Sequence, residues 1–133
     1  MATTFRVSEA AALLGVSDDT VRRWVDGGRL PARRTSSGRI EVDGAELATL
    51  AQELAAGTEG PPGGVSARNR LRGLVTRVTR DTVMAQVEMQ AGPFRIVSLM
   101  SREAADELGL EVGTLAVASV KATNVVVELA GPR

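Results

Sequence analysis

The chain has 133 residues, 44% of them hydrophobic, and its 16 basic side chains balance 16 acidic ones, so there is material for one ordinary domain or two small ones and the molecule as a whole is no polycation. Without cysteine or histidine, disulfides, zinc clusters, thiolate catalysis and the commonest general base are excluded together. The apolar runs are shorter than a membrane-spanning helix, and Met1 to Arg6 has no basic segment leading into a long apolar core. The expectation is a soluble cytoplasmic protein with no membrane partner and no enzymatic activity. No catalytic residues and no metal-cation ligands are assigned, because no nucleophile, base and orienting group can be assembled.

In chain order, Ser8 is the expected cap of a first helix, with Glu9 at its positive end and Gly15 as its stop. Ser17 caps a second helix, Asp18 and Asp19 fall in its first turn, and Gly27-Gly28 end it. A third begins near Asp43 and runs to about Ala56. Ala10, Leu13 and Leu14, then Val21, Trp24 and Val25, then Leu47, Leu50 and Leu54 recur at helical spacing and are the expected core stripes. Only the turn Gly15-Val16 separates the first two helices, the spacing of a helix-turn-helix. Between the second and third helices, Pro31 discourages helix and Ser37-Gly38 suits a tight turn, which predicts a small β wing.

Gly57-Thr58-Glu59-Gly60-Pro61-Pro62-Gly63-Gly64 supports neither periodicity and reads as a linker, dividing the chain into domains 1–56 and 65–130 around residues 57–64. Downstream, strands are expected at 71–79, 82–90, 94–100, 114–120 and 124–129. Val83, Ala85, Val87 and Met89 should face inward, and Met84, Gln86, Glu88 and Gln90 outward. A short helix from Arg102 to Leu108 has Ser101 as its cap and Gly109 as its stop. The runs Leu115 to Ala118 and Val125 to Val127 are apolar on both faces, so something must cover the sheet, and another copy of the chain is the simplest candidate. The fold class is therefore α+β.

Six arginines (Arg22, Arg23, Arg29, Arg33, Arg34, Arg39) and one acid (Asp26) lie between Thr20 and Arg39. With Val21, Trp24 and Val25 turned inward, Thr20, Arg22 and Arg23 point outward from the second helix, where a recognition helix presents base contacts in the major groove. Arg33, Arg34 and Arg39 on the wing would meet phosphates or a minor groove of double-stranded DNA. Phe5 to Ser17, Thr20 to Val25 and Gly28-Arg29-Leu30-Pro31-Ala32 together resemble the winged helix-turn-helix of the MerR and excisionase superfamily over about the first 54 residues. The chain departs from that pattern in lacking a long dimerising helix after the wing.

Ser66-Ala67-Arg68-Asn69, Ser101 and Lys121-Ala122-Thr123-Asn124 supply hydroxyls, two cations and turn amides with no acid among them. Such donors suit a tetrahedral dianion. Each also has a plainer role: Ser101 as a cap, Lys121 as a solvated strand end, Ser66 to Asn69 as a turn. With Leu71, Gly73, Glu107 to Leu110, Gly113 and Val120 to Val125, these residues resemble the molbindin domain, also called Mop or TOBE, of small molybdate-binding proteins and ModE-type regulators. That resemblance implies a five-stranded OB-like β-barrel that assembles with other copies and binds molybdate or tungstate between them. The implied ligands are Ser66, Arg68, Ser101, Lys121, Ala122 (through its amide) and Thr123. Three readings follow: an oligomeric, oxyanion-responsive DNA-binding regulator; an oxyanion store whose helices serve assembly; and an architectural DNA protein whose β domain merely oligomerises.

Overall fold

The computed structural model of the protein describes residues 3–55 and 66–132, which form two compact units on either side of residues 56–65. The expected linker and the third helix's last residue, Ala56, lie outside the described residues.

The first unit runs β1 (Thr4–Arg6), α1 (Val7–Leu14), α2 (Asp18–Asp26), β2 (Ala32–Arg34), β3 (Ile40–Asp43) and α3 (Gly44–Ala55). The first helix starts two residues earlier than Ser8 would place it. Arg6 occupies the cap position, Glu9 Oε1 accepts its amide at 2.9 Å, and Ser8 lies inside the helix. Packing sets this start, because Val7 is 6% exposed and joins the core. At the other end Gly15 adopts φ 70°, and the Val16 amide returns to the Ala11 carbonyl at 3.0 Å. Ser17 caps α2 as expected, its hydroxyl accepting the Thr20 amide at 3.1 Å. The segment after α2 pairs β2 with β3 as an antiparallel hairpin, and Gly38 at φ 83° makes its turn. β1 adds to the other edge of β3, giving the order β1-β3-β2.

Val7, Ala10, Ala11, Val21, Leu30, Val42, Leu47 and Leu50 form the core of this unit. Two expected core residues are corrected: Leu13 is 64% and Leu54 39% exposed. Positions 7, 10, 11 and 14 make one face of α1, so Leu13 turns away from it, while Leu54 sits in the last turn of α3. Trp24 is half-buried at the rim of this core, with the Arg29 guanidinium 5.5 Å from its ring centre.

The second unit runs β4 (Asn69–Arg80), β5 (Met84–Ala91), β6 (Phe94–Ser101), α4 (Arg102–Leu108) and β7 (Leu115–Val120), then a single 3-10 turn at Ala122–Asn124. Its sheet is antiparallel, in the order β6-β5-β4-β7. The long strand β4 serves two partners, pairing residues 69–74 with β7 and 74–80 with β5. A bulge between Val75 and Arg77 accompanies the curl of the sheet. Val75, Ala85, Val87, Met89, Ala105 and Leu110 make the core. Arg80 ties α4 to the sheet, donating from Nε to Asp106 Oδ1 at 2.9 Å and from Nη2 to the Leu110 carbonyl at 2.8 Å.

Three further expectations are corrected here. Residues 125–132 form neither helix nor strand, so the fifth strand at 124–129 is missing and the sheet stays an open, curled half-barrel. The segment pairs with neither outer strand of the sheet, β6 or β7. Val83, expected inward, is 67% exposed, because it stands in the turn where Asp81 Oδ1 accepts the Val83 and Met84 amides at 2.7 and 2.6 Å. Those two amides, Met84 first, hold the Asp81 carboxyl below its ordinary pKa. Glu88, expected on the solvent face, is 8% exposed, covered by Arg95, with which it pairs, and by Arg77 at 4.0 Å. No helix among the described residues is long and apolar enough to cross a membrane.

Candidate functional site

In the first unit, α2 and the hairpin enclose a groove of about 590 Å³. Arg22 reaches it from α2, Arg34 and Arg39 from the hairpin, and Arg6 from the start of α1. Arg34 is steadied by donating from Nη1 to the Gly38 carbonyl at 3.1 Å. Of the six expected DNA contacts, this groove gathers Arg22, Arg34 and Arg39. Thr20 and Arg23 lie apart from its lining, on α2: the Thr20 hydroxyl sits 2.9 Å from Ser17 Oγ and accepts from Arg23 Nη2 at 3.2 Å. Arg33 is turned the other way. Successive strand residues face opposite sides, so Arg33 lines a separate recess with Glu41, Asp43 and Glu46 and pairs with Glu41 at 3.5 Å. Counting arginines cannot reveal these facings, and Arg6 was missed because it precedes the cluster.

In the second unit, the β4–β7 ladder ends at Asn69 opposite Val120, and Asn69 Nδ2 donates to the Val120 carbonyl at 3.1 Å. Register therefore carries Ser66 and Arg68, just before β4, and Lys121, Ala122 and Thr123, just after β7, to the same end of this strand pair. Ser66, Arg68, Lys121, Ala122 and Thr123 are all exposed. The turn after β7 folds the Asn124 amide back on the Lys121 carbonyl at 2.9 Å. The first amides of such a turn, from Ala122 and Thr123, have no acceptor within it.

Ser101 does not join them within one chain. It pairs with Met84 at the far end of the sheet, beside the Ala85–Arg80 pair, eleven residues along β4 from Asn69. At a strand rise of about 3.3 Å, that is roughly 35 Å of chain contour. Its hydroxyl caps α4 by accepting the Ala104 amide at 3.1 Å. Among the described residues no three histidine, cysteine or acidic side chains are grouped to hold a metal ion.

A helix-turn-helix unit followed by a curled sheet with donor-rich ends defines a two-part binding protein. Residues 4–55 match the family described as helix-turn-helix domain, and residues 65–127 match the TOBE domain family. The chain belongs to the TOBE-domain family and carries a helix-turn-helix domain ahead of that domain; both are binding modules rather than enzymes. It is similar to molybdenum-pterin-binding protein 3 of Clostridium pasteurianum, 36% identical over 64 residues, which cover 47% of this chain and 94% of that protein. It is also similar to a probable molybdenum-pterin-binding protein of Haemophilus influenzae, 42% identical over 64 residues, 47% of this chain and 93% of that one. Among solved structures, a molybdate-binding protein from Sporomusa ovata is 31% identical, with a TM-score of 0.48 over 49% of this chain and 97% of that one.

Proposed function

We propose that the protein is a transcriptional regulator that binds double-stranded DNA through its first unit and molybdate or tungstate through its second. The observation that supports the oxyanion half is the β4–β7 register: Ser66, Arg68, Lys121, Ala122 and Thr123, none of them acidic, flank the Asn69–Val120 pair at one end of the ladder. A doubly charged tetrahedral oxyanion needs donors from several directions, and acceptors would repel it. The names of the relatives over this unit, which refer to molybdenum, support the same reading. The helix-turn-helix match and the arginine-lined groove support the DNA half.

Complete sites require more than one chain. The half-barrel keeps two free edges, β6 and β7, with an apolar cavity of about 480 Å³ between them. Val126, Val127 and Leu129 are 89%, 88% and 97% exposed. A second copy that supplies this tail to the open edge buries both surfaces and pairs the backbone. It also offers a route for Ser101 of one chain to meet Lys121 of another.

Calorimetric titration of the purified oligomer tests the proposal. Molybdate and tungstate should release heat and shift the affinity for promoter DNA, whereas a folded oligomer that gives no heat with either anion has no such site. The similarity to these relatives spans 47% of the chain, and their names refer to molybdenum and pterin rather than to DNA, which favours one rival, an oxyanion store without sequence-specific DNA binding. In that case the titration succeeds and DNA binding is absent.

A further inference from the structure

The groove between α2 and the hairpin has an excess of positive charge: Arg6, Arg22, Arg34 and Arg39 line it against Asp18 and Asp26. No salt bridge among the described residues engages Arg6, Arg22 or Arg39. Three of these arginines come from the segments already assigned to DNA. The fourth comes from a position where helix chemistry disfavours it.

Arg6 is the cap residue of α1, with extended backbone at φ −76° and ψ 163°. Serine, threonine, aspartate or asparagine is favoured there because a side-chain oxygen accepts a first-turn amide. α2 and α4 both follow that rule with serine. A guanidinium carries donors only, so Arg6 cannot cap, and it sets a permanent positive charge at the end of the helix that is already positive. Only the return half of the cap is met, by Glu9 on the Arg6 amide. Sequences that break a local rule tend to do so at functional positions. Here the side chain is exposed and forms part of the groove wall.

We propose that Arg6 is a DNA-contacting residue that joins Arg22, Arg34 and Arg39 in gripping the backbone phosphates of duplex DNA along this groove. The proposal rests on the DNA-binding reading above and extends it to a part of the unit outside both the second helix and the hairpin. Phosphate contacts are independent of base sequence, so the target promoter is not needed to test it.

The test uses the full chain and a labelled random-sequence duplex, with affinity followed by anisotropy between about 50 and 200 mM salt. Arg6→Ser installs a proper cap and removes the charge, so its two effects separate. The variant should melt no lower than the parent, bind several-fold more weakly at low salt, and lose about 0.9 from the slope of log affinity against log salt. Arg6→Lys should keep that slope, since an ammonium still neutralises a phosphate. Parental affinity and slope in Arg6→Ser would overturn the proposal and leave the DNA reading standing. A parent chain that fails to bind the duplex at low salt overturns the DNA reading itself, and this proposal with it.

Discussion

Gly73 sits where β4 passes from one partner strand to the other. A Cβ there would lie 2.3 Å from the Gln90 carbonyl oxygen and 2.9 Å from Ala91 Cα, both backbone atoms with no side chain to swing aside. Gly73→Ala should therefore destabilise the second unit by about 3 kcal/mol through overpacking. Denaturant unfolding checks this, and a variant within about half a kcal/mol of the parent would mean that the β4–β5 crossing is looser than the structure has it. Residue-scale features with local causes were legible in the sequence. Ser17, Ser101, Gly15 and Gly109 cap and stop their helices as cap chemistry demands. Ser8 was misread because the start of α1 is decided by the burial of Val7, a tertiary fact that no capping rule contains.

At the scale of elements, the hairpin divides its arginines between two environments. Arg34 and Arg39 face the groove, while Arg33 faces the acidic recess and is paired with Glu41. Arg34→Ala is expected to weaken duplex binding and flatten its salt dependence by about one unit, and Arg33→Ala to leave the slope unchanged. Binding isotherms at several salt concentrations decide this, and equal losses for the two variants would contradict the facing that the β2–β3 register gives. The hairpin itself was legible from Pro31 and Ser37-Gly38. The facing of each arginine was not, because it follows from pairing with β3 rather than from the β2 sequence. Leu13 was misassigned for a similar reason, since several leucine and alanine stripes can be drawn on α1 and only its packing against the sheet selects one.

At the scale of the whole molecule, the missing fifth strand is the largest departure. Val125 to Val127 are strand-forming and apolar on both faces, which pointed to a covering partner; in the single chain they stay exposed. Removing residues 125–133 should lower the oligomeric state, as measured by light scattering after gel filtration. A shortened chain that retains the parent's assembled mass would show that the tail is not what joins the copies. The five donors at the β4–β7 end were legible as two short motifs. Their meeting required a ladder between strands some fifty residues apart, and the separation of Ser101 from them followed only from the placement of β6.

Trp24 carries a practical consequence. The chain has one tryptophan and no tyrosine, and that indole stands half-buried next to Arg29 in the helical unit. Nearly all intrinsic ultraviolet emission therefore originates there, because the β-rich unit holds only Phe94, a weak emitter. Melting of the first unit can be watched optically while the second stays dark, and a colour shift on adding an oxyanion would register a message relayed between the two halves rather than occupancy alone.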